Sequence, residues 1–353
     1  MTPNRLGYLA FMLQAVAAFF LARRLRRETI DAGRPISQTV EANQPLKVPN
    51  SASVLPMLKF GILDFDTSHA VEFTRRLNHR DIDKDQWVDG GQVVIGCPGE
   101  SKLSPERIPE FTKAMQKLEV PLVDKPADMI GKVDVMLIEA VDGSVHYERA
   151  KPFLEAGVPC FVDKPFACSV ADARKIVDLA GKKKLPLFSS SSLRFAPELV
   201  AYQNDAKHGK VLGVIAWGPA SQHERNPGLF HYGIHAVEVL YTLMGPGCES
   251  VTCTSDKDVD VVSGHWKDGR VATVRGTRSG PGAYGAVVFA EKATQPLAIG
   301  TKYIYRELLT KIVETYTTGK PPIEVGVTVE IVGFIEAAWK SANNHGMVQK
   351  VEI

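Results

Sequence analysis

The chain has 353 residues, enough for about two domains, and its 44% hydrophobic and 23% charged residues are the mix of an ordinary globular protein, which excludes a disordered or fibrous one. Its 42 basic and 40 acidic side chains leave a formal charge of +2, and the densest basic run past the N-terminal segment is Lys182-Lys183-Lys184, so no nucleic-acid partner is expected. Five cysteines, odd in number and thinly spread, exclude a disulfide scaffold and point to a reducing compartment, and no CxxC pair offers a zinc site.

Residues 1–56 read as an extension. Leu6 to Ala22 form an almost wholly apolar run of 17 residues, the short limit for a membrane-spanning helix, followed at once by Arg23, Arg24, Arg26 and Arg27. That order of charge is wrong for a cleavable secretory signal. Under the positive-inside rule it keeps the remainder in the cytoplasm even where the run anchors the chain, so a membrane enters only through residues 6–22. Residues 28–56 are polar and aperiodic, and a second reading starts the protein at Met57, which opens a clean strand.

Residues 57–190 alternate short apolar strands (59–63, 92–96, 120–123, 133–140, 159–163 and 186–192) with helical stretches. This is the pattern of a parallel sheet covered on both faces, a Rossmann-type α/β unit with ligands outside the carboxyl ends of its strands. The glycine fingerprint of a dinucleotide site is absent after the first strand: its three positions fall on Asp64, Asp66 and His69. Two carboxylates there would repel a phosphate. Thr67 or Ser68 can still cap the following helix and leave backbone amides for an anion.

The stretch Glu139-Ala140-Val141-Asp142-Gly143-Ser144-Val145-His146, then Asp163-Lys164-Pro165-Phe166-Ala167, resembles the Gfo/Idh/MocA family of sugar oxidoreductases, in which a Glu-Lys-Pro tripeptide ends the fifth strand. A second block, Leu229-Phe230-His231-Tyr232-Gly233-Ile234-His235-Ala236-Val237-Glu238, is similar to the family's LxDxGxHxxD motif, with His231 and Glu238 in place of its acids. The likeness covers roughly residues 58–353, and Phe65-Asp66-Thr67-Ser68-His69 looks like a variant first turn within the family.

The resemblance implies NAD or NADP in the first unit, bound near Asp66, Thr67, Ser68, His69, Glu139, His146, Asp163, Lys164 and Pro165. It implies hydride transfer to or from a sugar or cyclitol, with Lys164 and His235 at the chemistry and His231 beside them. It also implies a second, α+β unit at 191–353 whose open, mostly antiparallel sheet makes homo-oligomer contacts, and the runs 211–222, 249–256, 260–266, 270–278 and 285–292 read as its strands. Arg194 and Glu238 are further candidates for substrate contact.

Alcohol oxidation needs a group to take the hydroxyl proton and one to steady the alkoxide, which His235 and Lys164 supply in kind. His231 and His235 have a helical metal spacing, but two histidines and a distant Glu make an incomplete shell, so no metal is assigned. Two alternatives stay open: lyase or glycosidase chemistry through a keto intermediate or a metal, and a non-catalytic sugar sensor that has lost its cofactor.

Overall fold

The computed structural model describes residues 57–353. The expected extension 1–56 and its apolar run lie outside the described residues. Among those described, no helix is long and apolar enough to cross a membrane.

Five parallel strands form the first sheet, β1 (Leu58–Leu63), β2 (Gly91–Cys97), β3 (Val135–Ile138), β4 (Cys160–Val162) and β5 (Leu187–Phe188), in the order β2-β1-β3-β4-β5. Their apolar runs are continuous because both faces are covered, and all four residues of β3 are buried. Helices α1 (His69–Leu77), α2 (Ile108–Lys117), α3 (His146–Glu155) and α4 (Val170–Lys183) make the crossovers. Strand order reverses on either side of β1, so the crevice between the carboxyl ends of β1 and β3 is where a ligand is expected.

Two expected strands shrink. The run 120–123 touches β2 only through a bridge between Leu122 and Gly96, since Pro121 has no N–H to extend a ladder. The run 186–192 pairs only at Leu187 and Phe188, because Ser191 turns its hydroxyl back to accept from Leu193 N and starts a tight 3-10 turn, Ser192–Phe195.

After α5 (Pro197–Asn204) come β6 (Val211–Pro219), α6 (Ile234–Met244), β7 (Cys248–Asp256), β8 (Val259–Trp266), β9 (Val271–Thr277), β10 (Tyr284–Ala290), β11 (Thr294–Ile299), α7 (Ile304–Thr318), α8 (Val325–Ala342) and β12 (Gln349–Lys350). The seven strands order as β11-β10-β6-β9-β8-β7-β12, antiparallel at every junction but β6 with β9. The expected parallel α/β sheet followed by an α+β half with a mostly antiparallel sheet is therefore the observed architecture. Helix α6 is buried along its whole length and packs against β6, β9 and β10. The opposite face of this sheet leaves Ile215, Val271 and Phe289 exposed.

Helix α7 does not stay with the second sheet. Its Leu308, Leu309 and Ile312 share a core with Phe60 and Ile62 of the first and with Phe73 of α1. In that core an aromatic column runs through Phe73, Phe161, Phe188 and Phe195, with ring centroids 6.5, 5.5 and 6.3 Å apart in edge-to-face order. Each such ring contributes about 1.5–3 kcal/mol by burial. The column's near end carries the first element of the site.

Candidate active site

His69 is the first residue of α1 and stacks on Phe73 at 5.0 Å, with Tyr305 of α7 edge-on at the same distance. Thr67 Oγ1 accepts from His69 N and so serves the helix start that the sequence offered to Thr67 or Ser68; the Ser68 side chain makes no cap. His69 Nδ1 lies 2.8 Å from Asp163 Oδ2 and 3.6 Å from Glu139 Oε2, all three residues being buried. Burial opposes charge on this imidazole, but the adjoining Asp163 carboxylate outweighs it and holds the histidine's pKa well above its ordinary value. Burial and then repulsion from Asp163 push Glu139 up to about 7, while His69 and Lys164 overcome burial to hold Asp163 low. These three side chains are also placed so that they could ligate a metal ion, with the His69–Asp163 hydrogen bond as the contact a metal would replace.

Lys164 follows Asp163 directly. The loop carrying it lies so close to Gly143 that a Cβ there would come 2.7 Å from Pro165 Cγ, so only glycine suits that position. Lys164 is buried, its Nζ 5.8 Å from the Tyr232 ring centre, and it forms no ion pair among the described residues. Across from it, His235 Nδ1 lies 2.7 Å from Ser191 Oγ. Burial, then the charges of Lys164 and His69, press the His235 pKa well below its usual value, so the ring is neutral. His231 is pushed down to about 4 by burial, Lys164, His223 and Arg107, and its Nδ1 is buried without a partner.

His69, Lys164, His231 and His235 converge on one cavity of about 420 Å³ whose wall is shared by Thr67, Ser68, Arg107 and three tyrosines, Tyr232, Tyr284 and Tyr305. The expected residues Thr67, Ser68, His69, Lys164, His231 and His235 are thus brought together. Glu139 and Asp163 lie behind His69, and Asp66 and Pro165 also stay out of the wall.

Four expectations need correction. His146 is fully buried, with Nε2 2.8 Å from Ala140 O and Nδ1 3.2 Å from Phe166 O, so both ring nitrogens face backbone carbonyls and neither is free for a cofactor. Arg194 and Glu238 face each other instead of a substrate: Arg194 Nε donates to Glu238 Oε2 at 2.7 Å and Ser191 N to Oε1 at 3.1 Å, which pins the serine loop to α6. Because α6 begins at Ile234, His231 precedes it, and the pair His231/His235 does not share one helix face. The two carboxylates of the first turn do not confront a phosphate freely, because both are buried and engaged. Arg149 Nε lies 3.1 Å from Asp64 Oδ2, and Asp66 accepts from Ser101 Oγ at 2.6 Å and Val141 N at 3.1 Å. Burial also lifts Asp64 to about 7, which weakens its charge near neutrality.

The turn itself tests the fit of a dinucleotide. Asp64 stands at the first fingerprint position with φ 71, the left-handed backbone ordinarily left to glycine, so the turn keeps the glycine path without the glycine. The N-terminus of α1 opens on the cavity beside Thr67 and Ser68, with the His69 imidazolium next to it, a suitable cradle for a diphosphate. Beyond Asp66 a slot of about 60 Å³ lies between Glu100, Ser101, Lys102 and Asp142. Arg149, which donates to Glu100 O at 2.9 Å, lines it. The residues present fit the diphosphate and nicotinamide end of the cofactor.

Sequence reasoning missed Arg107, Tyr284, Tyr305 and the orienting role of Ser191. Only Ser191 carried a local signal, as part of a serine run at a strand's carboxyl end.

A model of the oxidoreductase family with an NAD-binding Rossmann fold matches residues 102–191. YceM of Salmonella typhimurium, named as an oxidoreductase, is 37% identical over 111 residues, 31% of this chain and 36% of that protein. The chain spans between about a third and about a half of the length of the curated relatives it matches. Among solved structures, GenD2 from gentamicin A biosynthesis in complex with NAD superposes with a TM-score of 0.70 at 16% identity, over 87% of this chain and 99% of that one. Myo-inositol dehydrogenase from Lactobacillus casei, in complex with NAD(H) and myo-inositol, gives 0.67 at 14% identity over 84% and 97%. At these identities the structures speak for the fold alone.

Proposed function

We propose that the chain is a member of the Gfo/Idh/MocA family of oxidoreductases, whose model matches residues 102–191, and that it is an NAD(P)-dependent oxidoreductase moving hydride between the cofactor and a sugar or cyclitol carbon. The observation that carries this reading is the convergence of Lys164 and a neutral, serine-anchored His235 on one cavity that also receives the N-terminus of α1.

Thr67, Ser68 and His69 would hold the diphosphate, and the bound nicotinamide supplies a hydride acceptor or donor. The chain's own residues do the rest. With Nδ1–H donating to Ser191 Oγ, His235 Nε2 carries a lone pair and can take the substrate's hydroxyl proton. Lys164, whose ammonium has no ion-pair partner among the described residues, steadies the negative charge that grows on the oxygen. Tyr232, Tyr284 and Tyr305 narrow the cavity and help exclude water around that charge. Each of these roles is a proposal that rests on geometry and chemistry.

Two further readings accompany it. The exposed Ile215, Val271 and Phe289 lie on one face of the second sheet, and a second copy of the chain would cover them, giving a homo-oligomer that light scattering would detect. Five free cysteines fit a cytoplasmic location for the folded part. The test of the main reading is titration of the full-length protein with NAD, NADH, NADP and NADPH by calorimetry, followed by a sugar and cyclitol panel read by nicotinamide absorbance. Micromolar binding of one pair with substrate-dependent reduction is the expected result, and failure of all four nucleotides to bind would overturn it.

A further inference from the structure

We propose that the substrate is an anionic sugar derivative, a sugar acid whose carboxylate is received by Arg107 beside Lys164 and His231. The inference rests on the oxidoreductase reading above and deepens it. Its first support is the cavity wall, which contains Arg107, Lys164 and three histidines but no Asp or Glu at any of its sixteen residues. The acceptors in that wall are neutral hydroxyls and imidazoles, so nothing anionic in it repels a carboxylate, while two cations attract one.

The second support is the state of the cations. Neither Arg107 nor Lys164 forms an ion pair among the described residues, although Lys164 is buried. The nearest acids, Asp163 and Glu139, sit behind His69, and Asp163 is committed to it. Lys164 feels the Asp163 carboxylate through space but has no direct ion pair, and a ligand carboxylate would supply one.

The third is where the charge points. The diphosphate of a cofactor would draw on the N-terminus of α1 and the His69 imidazolium. Arg107 and Lys164 share the cavity lining with His231, and after burial their charges help to keep that ring neutral. His231 Nδ1 is left buried without a partner among the described residues in the same region. Arg107 is braced over the Phe111 ring at 5.0 Å, which suits planar, two-pronged recognition of a carboxylate.

The experiment uses the full-length protein with saturating cofactor and matched pairs: D-glucuronate against D-glucose, D-galacturonate against D-galactose, and D-gluconate against D-glucitol. Binding is read by calorimetry and turnover by nicotinamide absorbance. At least one acid should bind about 10- to 100-fold more tightly than its neutral partner, the scale of one charged hydrogen-bonded contact. Arg107→Gln should abolish that preference, Arg107→Lys should keep part of it, and raised salt should weaken it. Equal or tighter binding of the neutral member in every pair, no binding by any acid, or an undiminished preference in Arg107→Gln would overturn the proposal. Turnover of neutral sugars alone would leave the oxidoreductase reading in place while sinking this one. Acid-selective binding without any change in the cofactor would support the anion site and sink the oxidoreductase reading.

Discussion

Replacing Glu238 by Ala separates a structural role from a substrate role for the Arg194–Glu238 pair. Both residues are buried, at 8% and 3% exposure, and the carboxylate serves two donors, Arg194 Nε at 2.7 Å and Ser191 N at 3.1 Å. The substitution strands a guanidinium in a low-dielectric interior, which costs about 3–5 kcal/mol. It also leaves the Ser191 amide unpaired at about 1–3 kcal/mol, so that a total near 4–6 kcal/mol is expected because the two losses overlap. Glu238→Gln retains an acceptor and should lose less. Arg194→Met combined with Glu238→Leu removes both charges together, and most of the stability should return. Urea unfolding without ligand, followed by circular dichroism and fluorescence, measures all four proteins. If Glu238→Ala stays within about 1 kcal/mol of the parent while KM rises, the pair belongs to the substrate and the bracing argument fails.

Lys164→Ala should lower kcat at least about 100-fold with an unchanged circular dichroism spectrum, the scale for losing one electrostatic or acid–base group; parental turnover would remove Lys164 from the chemistry. Ser191→Ala frees His235 Nδ1 at a cost of about 1 kcal/mol in stability and should reduce kcat more than it raises KM; a change in KM alone would contradict an orienting role. Asp64 titrates at about 7 in the fold against 3.8 unfolded, so the folded chain binds the extra proton and the parent loses stability as pH rises from about 4 to about 7. Asp64→Asn should remove that loss, with an upper bound of about 4 kcal/mol; parallel urea midpoints of the two proteins between pH 5 and pH 8 would refute it.

What the sequence made legible follows from the range of the forces involved. The continuous apolar runs at β1, β2 and β3 reveal a two-faced parallel sheet because burial is recorded in each strand's own residues. The run at 120–123 has the same apolar signature and failed, since a strand also needs a partner ladder that Pro121 cannot extend. Lys164 and His235, which line one cavity, stood out in the sequence because their motifs are local. Arg107 and Tyr305 did not, because the cavity wall gathers side chains from α7 and from the approach to α2, and no short pattern encodes that meeting.

The turn after β1 is the instructive case. Read alone, Asp64 and Asp66 look hostile to a phosphate. Their partners are Arg149, which comes from α3, Ser101, which follows β2, and the Val141 amide, which follows β3. Asp64 further adopts the glycine backbone, which a sequence cannot display. With both carboxylates withdrawn, the end of α1 presents its cavity with the His69 imidazolium, backed by the Asp163 carboxylate, where the usual fingerprint offers bare amides. A glycine turn binds by letting the backbone approach; a ligand at this one would meet a charged ring as well as the helix amides. Ligand affinity at this turn should accordingly fall with salt more steeply than at a glycine-rich site.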